Sequence, residues 1–170
     1  RNRGAQVHLI AANFDTSDLE GIEVSTVESA ADMHKILLQQ FPICDVLIMS
    51  AAVADARPKN MSFEKIKKVF LGSIELEENP DLLAEIGAKR SMAHQPTLVG
   101  FAAETLSGDE LVASARKKLQ AKIVDLVVAN DVTGGAIFGS DTTAIELVSA
   151  SADSSFEGSK LGAANAILDW

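Results

Sequence analysis

The 170-residue chain sets 15 Lys and Arg against 24 Asp and Glu, a net charge of −9, which argues against nucleic acid or an anionic membrane as its main partner, since a phosphate surface must be met by clustered cations. Hydrophobic residues at 47% with 23% charged residues allow the core of one ordinary domain and exclude disorder, and no apolar run approaches the roughly 20 residues that span a bilayer. A lone cysteine, Cys44, cannot make an intrachain disulfide, and no basic segment followed by an apolar stretch marks a signal peptide, so a reducing cytoplasm is expected.

Aromatic residues are 5% and Tyr is absent, so the core is built from Val, Ile, Leu and Ala. That composition suits parallel strands covered on both faces by helices, which read as short continuous apolar runs. In chain order, residues 1–4 (RNRG) read as the last turn of a helix closed by Gly4 in the left-handed conformation, and imply a helix before them. Residues 6–12 (QVHLIAA) read as a strand, and residues 29–40 as a helix with Met33, Ile36 and Leu37 on one face. Residues 46–52 (VLIMSAA) form the next strand candidate. Asn79-Pro80 marks a helix start, with Leu82, Leu83 and Ile86 on the apolar face of residues 80–89. A strand over 97–102 (TLVGFA), a helix over 109–122 with Leu111, Ala115 and Leu119 in line, and a strand over 125–129 (DLVVA) follow. The tail reads as a strand over 144–148, a polar loop over 149–159 and a final helix over 160–170. Strands alternating with helices predict a three-layer, Rossmann-like, doubly wound α/β sheet, mainly parallel, in a single domain over residues 1–170.

Ligands of open α/β sheets bind at the carboxyl ends of strands, so the residues after each apolar run are the candidates. Ala51-Ala52-Val53-Ala54-Asp55 offers small residues for close approach and one carboxylate for a divalent cation or a hydroxyl; read alone, Asp55 is better explained as a turn cap before Arg57-Pro58. Lys65-Ile66-Lys67-Lys68 is a solvated face or a mobile loop that brings cations to a triphosphate. The start at Asn79-Pro80-Asp81-Leu82-Leu83 is a plain helix start or an anion-facing one. Phe101 is a core residue or a ring set against a base, and Lys118 and Lys122, at i and i+4, are a solvated stripe or an anion-facing pair. Asn130-Asp131-Val132 ends the last run, and Gly134-Gly135 makes a turn or a weak phosphate loop. His8 and His94 stand too far from other ligands for a metal site, and Cys44 reads as a buried thiol.

Taken together, AAVADARP, EKIKK, ENPDLLAEIG, LVGFAAET, ARKKLQAKIVDLVVANDV and FGSDTTAIELV, in this order, closely resemble phosphopantothenate–cysteine ligase of coenzyme A biosynthesis, whose bacterial form is usually the C-terminal half of a bifunctional flavoprotein. The resemblance runs from Gly4 to Ile167. It implies a ligase in which the carboxylate of 4′-phosphopantothenate attacks the α-phosphate of CTP, releasing pyrophosphate, and the amine of L-cysteine then displaces CMP from the acyl-cytidylate. It implies Mg²⁺ (or Mn²⁺) as cofactor, FMN only where a decarboxylase is fused upstream, and a homodimer. By position it assigns Asp55 to nucleotide and metal, Lys65 to the covering loop and to catalysis with Asp55, and Pro80, Asp81, Leu82, Leu83, Phe101, Lys118 and Lys122 to the nucleotide. Ala51, Ala52 and Asn130 fall on the side of the intermediate.

The chain departs from that pattern in three places. A GGTREPID-like strand and an NxSSG-type loop lie ahead of Arg1 in the family, so the chain is expected to be truncated at its amino terminus, to expose an apolar sheet edge near residues 46–52 and, by itself, to bind nucleotide poorly and catalyse nothing. An aromatic residue usual after the aspartate is Ala56 here, and residues 68–78 are short. A nucleotide-binding module without ligase activity is the alternative reading; a nicotinamide-dependent reductase would need a GxGxxG that the sequence lacks.

Overall fold

A computed structural model describes residues 1–60, 62, 64–67, 72–91, 94–135 and 140–170. In chain order these contain β1 (His8–Ala12), β2 (Glu23–Val27), α1 (Ala30–Gln40), β3 (Val46–Met49), β4 (Ala56–Pro58), β5 (Leu76–Glu78), α2 (Leu82–Ala88), β6 (Thr97–Glu104), α3 (Gly108–Lys122), β7 (Leu126–Asp131), β8 (Thr142–Ser149), β9 (Asp153–Ser159) and α4 (Lys160–Asp169). The chain divides into two compact units, Arg1–Gln40 with Ala52–Leu82, and Phe41–Ala51 with Leu83–Trp170.

In the first unit β1 and β2 pair in parallel, and α1 packs against both. α1 starts on a reciprocal cap: the Asp32 N–H donates to Ser29 Oγ at 3.1 Å and the Ser29 N–H to Asp32 Oδ2 at 3.2 Å. Two of the four N–H groups left open at a helix start are thereby satisfied. Met33 and Leu37 are buried, as their spacing predicts. β4 and β5 form a small antiparallel pair, an element the sequence does not announce because ARP and LEE carry no apolar pattern. At the amino terminus the Gly4 N–H donates to the Arg1 carbonyl at 2.8 Å, and Gly4 has φ +90°; residues 1–4 form a turn, not helix.

The second unit holds a five-stranded sheet in the order β3-β6-β7-β8-β9. β3, β6 and β7 run parallel, while β8 and β9 return antiparallel. This is the mixed α/β, Rossmann-like fold expected from the alternation of elements. Val99, Leu126, Val128, Ile145 and Leu147 pack with Ala163 of α4 and with the partly buried Phe156, Ala166 and Ile167. Because successive strand residues point to opposite faces, Leu98, Val127 and Val148, all buried, serve the other face. α3 packs on β6, β7 and β8 with Leu111, Ala115 and Leu119 buried, as their spacing predicts. β3 stands at one end of the sheet order, with Val46 and Ile48 exposed.

Two expectations need correction. Residues 149–159, read as a polar loop, contain β9, which pairs along its whole length with β8. An edge strand buries little, so DSSFEGS needs only Phe156 and Gly158 turned inward, and its backbone bonds to β8 leave no signature in composition. α2 also starts at Leu82 rather than on an Asn79 cap. Asn79 is otherwise engaged: its Nδ2 donates to the Ala54 carbonyl at 2.8 Å, and its Oδ1 accepts from Arg57 Nη1 at 2.6 Å.

Asp125, at the turn between α3 and β7, accepts from Arg90 Nη1 at 3.1 Å, from Arg90 Nη2, and from the Leu98 N–H at 2.7 Å. Losing it would strand a guanidinium whose side chain is only 17% exposed. Asp125→Ala is therefore expected to lower unfolding free energy by about 1–2 kcal/mol, since a part-buried charge loses its partner. Urea denaturation checks this, and an unchanged midpoint would refute it.

Candidate active site

The carboxyl ends of β6 and β7 gather polar side chains in the second unit. Register places Phe101 beside Val128, Ala103 beside Asn130 and Glu104 beside Asp131. By strand alternation Phe101 and Asn130 share the face that carries Val99 and Val128, and Glu104 and Asp131 share the other. Val99 lies in the cluster with α4; two residues nearer the strand end, Phe101 is 37% exposed. The ring, three residues before the end of β6, is thus only partly covered.

On the Glu104 face, Lys118 Nζ lies 2.7 Å from Glu104 Oε1, and Ser114 Oγ donates to the same oxygen at 3.1 Å. Ser114 and Lys118 are one turn apart on α3, so both reach one strand end. The hydrogen bond from Lys118 is the main cause that holds the Glu104 carboxyl below its ordinary range; burial opposes it, while the charge of Lys118 and the hydrogen bond from Ser114 add to it. With its folded value lowered, Glu104 contributes stability above the ordinary carboxylate range and loses that contribution as pH falls through the lowered value. Asp131 accepts from Thr133 Oγ1 and, at 2.8 Å, from the Thr133 N–H, and these bonds, the side-chain one first, hold its carboxyl low as well. Lys122, half-buried, sits one turn beyond Lys118 in the last turn of α3. Gly134 takes φ +73° in a single 3₁₀ turn, so the glycine pair forms a turn.

In the first unit the Asp55 carbonyl accepts the Asn79 N–H at 2.8 Å. That bond, with the Asn79 side chain on Ala54, brings the exposed Asp55 next to the exposed Pro80 and Asp81. Leu82 and Leu83 are 2% and 5% exposed, so their side chains belong to packing and only their backbone could meet a ligand. Leu83, in the second unit, illustrates this: a Cβ on Gly100 would stand 2.6 Å from Leu83 Cδ2. Lys65 and Lys67 are exposed, residues 64–67 being in neither helix nor strand, and Lys68 lies outside the described residues. Ala51 and Ala52, both exposed, follow the end of β3, the first in the second unit and the second in the first.

The candidates thus fall into two sets. Ala52, Asp55, Lys65, Pro80, Asp81 and Leu82 belong to one unit; Ala51, Leu83, Phe101, Lys118, Lys122 and Asn130 belong to the other. Sequence reasoning missed Glu104 and Ser114, although a charged residue closing an apolar run and a Ser four residues before a Lys were both visible. Cys44 donates to the Phe41 carbonyl at 3.4 Å, and burial pushes its thiol up, away from the thiolate form. Among the described residues no group of three or more His, Cys, Asp or Glu is gathered for a metal. Among them, too, no helix is long and apolar enough to cross a membrane.

Parallel strands joined through helices define a Rossmann-like α/β protein, the class in which ligands meet the carboxyl ends of the strands. The chain belongs to the family described as the DNA/pantothenate metabolism flavoprotein C-terminal domain, which matches residues 1–170; this is the family to which the resemblance to phosphopantothenate–cysteine ligase pointed. It is 42% identical over 147 residues to the coenzyme A biosynthesis bifunctional protein CoaBC of Bacillus subtilis, covering 85% of this chain and 35% of that protein. Against the CoaBC protein of Mycobacterium tuberculosis strain H37Rv it is 43% identical over 148 residues, covering 82% and 35%. The chain therefore spans about a third of the length of these relatives. A solved C-terminal domain of CoaBC superposes with a TM-score of 0.75 at 30% identity, over 99% of this chain and 74% of that one. A flavoprotein from Streptococcus pneumoniae, at 20% identity and a TM-score of 0.81 over 99% and 81%, shares the fold.

Proposed function

We propose that this chain carries the ligase step that joins 4′-phosphopantothenate to L-cysteine with CTP, through an acyl-cytidylate, in the cytoplasm and as a homodimer. The observation that carries the reading is the set Phe101, Asn130 and Lys118 at the carboxyl ends of β6 and β7, in a chain whose relatives are named for coenzyme A biosynthesis. A carboxylate is a poor acyl donor until one of its oxygens becomes part of a good leaving group, and the cytidylate supplies that. Lys118, Lys122 and Lys65 offset the charge of the triphosphate as pyrophosphate leaves. Phe101 offers an open face to the nucleotide, and Pro80 to Leu83 offer backbone. Asn130, Ala51 and Ala52 meet the acyl intermediate.

Mg²⁺ keeps several of its waters and needs only one or two carboxylates beside substrate phosphates, so the exposed Asp55 fits it. Bound there, Mg²⁺ would neutralise phosphate charge. FMN enters only with a decarboxylase fused upstream.

The test is pyrophosphate release by the intact protein with Mg²⁺, 4′-phosphopantothenate and either CTP or ATP. Release with CTP, followed by amide formation when L-cysteine is added, is expected, and CTP is expected to bind more tightly than ATP. Equal or tighter binding of ATP would refute the base preference. Nucleotide binding without any pyrophosphate release would make the chain a binding module.

A further inference from the structure

Glu104 belongs to none of the positions assigned to substrate, yet it is the most constrained charged group at this strand end. Its backbone is held in the ladder between β6 and β7, and its carbonyl accepts the Val132 N–H at 2.8 Å. Its side chain is 20% exposed against 38% for Lys118. The acid is thus the fixed member of the pair and the lysine the presented one. Ser114, donating to the same Oε1, fixes the carboxylate from the α3 side.

A lysine ammonium has three N–H donors on a flexible stem. One donor on Glu104 leaves two for an incoming phosphate oxygen, and the rotamer freedom of the stem is lost before the ligand arrives rather than on binding. We propose that Glu104 is a positioning residue that holds the Lys118 ammonium over the carboxyl end of β6 for the phosphate groups of the nucleotide; this rests on the reading of Lys118 as a nucleotide contact. The competing effect has the opposite sign. A carboxylate beside a site for polyanions repels them, so if Glu104 did nothing but add negative charge, removing it would strengthen binding and speed turnover.

A double-mutant cycle separates the two. Glu104→Gln, Lys118→Met and the double variant are made in the intact protein, and kcat/KM for CTP is read from pyrophosphate release, with the CTP dissociation constant read by calorimetry. Glu104→Gln keeps the shape and leaves a weaker, neutral acceptor. It is expected to lower kcat/KM about tenfold, the scale for losing a group that orients a contacting one, with the melting temperature within a few degrees. Lys118→Met should lower it about a hundredfold, the scale for one preorganised charge contact. The double variant should match Lys118→Met within about twofold, because a residue acting through Lys118 has nothing left to act on.

Equal or higher kcat/KM and affinity in Glu104→Gln would overturn the proposal in favour of simple repulsion. Losses that multiply in the double variant would overturn it in favour of a role independent of Lys118. No loss in Lys118→Met would remove both this proposal and the nucleotide reading of Lys118. Should the protein bind CTP but release no pyrophosphate, the ligase reading fails and the cycle in dissociation constants still decides on Glu104.

Discussion

Replacing Lys65 with Gln is expected to cut turnover about a hundredfold, the scale on which one preorganised charge contact acts, while the melting temperature moves by no more than a few degrees. The two halves rest on different facts. Lys65 is exposed, and residues 64–67 are in neither helix nor strand; substitutions at such places usually stay within about ±0.5 kcal/mol. Its side chain therefore owes little to the fold. Its value lies in charge: a triphosphate losing pyrophosphate concentrates negative charge on the departing oxygens, and an ammonium brought near them stabilises that state more than the bound substrate. Gln keeps most of the length and none of the charge. Pyrophosphate release at saturating CTP, with Lys67→Gln as the comparison, checks this; turnover within twofold of the parent would return Lys65 to an ordinary solvated lysine.

Gly87→Ala is expected to destabilise the protein by about 2–3 kcal/mol, as overpacking against atoms that cannot rotate away does. The sign is the informative part. Gly87 lies inside α2, where alanine would ordinarily be favoured over glycine by about 1 kcal/mol. A Cβ at this position, however, would stand 2.1 Å from the Lys122 carbonyl oxygen and 3.1 Å from that of Ile123. Both are backbone atoms at the end of α3, where Ile123 already takes the left-handed conformation with φ 53°. Either α2 or the end of α3 must move, and the second choice displaces Lys122, so weaker CTP binding should accompany the lower stability. Thermal and urea unfolding of Gly87→Ala, with calorimetric titration of CTP, test both effects. A variant as stable as the parent would mean that the two helix ends separate freely.

How much of this could be read from the chain depends on the distance over which each feature is decided. β6, β7 and α3 were legible because their signals are local. TLVGFA and DLVVA are continuous apolar runs, and Leu111, Ala115 and Leu119 recur at the helical period, so burial of both strand faces and one helix face is written into neighbouring residues. The order of the motifs from Ala51 to Asn130 was likewise present in the sequence, and with it the family. β9 and the β4–β5 pair carry no such signal because their strand character comes from backbone bonds to another segment, which place little demand on side chains.

The site divides in the same way. That Lys118 and Lys122 share a helix, and that Phe101 and Asn130 stand at strand ends, followed from spacing alone. That Leu82 and Leu83 are packing residues, that Asn79 binds the Ala54 and Arg57 region instead of capping α2, and that Glu104 takes the Lys118 ammonium became visible only in three dimensions. Each depends on groups brought together from separate stretches of chain: Asn79 from 25 residues beyond Ala54, and Glu104 from the strand before α3. Residue type and period therefore determined which elements form and to which family the chain belongs. Which polar side chain meets which was decided by tertiary structure, because a hydrogen bond needs its partners within about 3 Å and aligned, and only the packed sheet and helices set that distance.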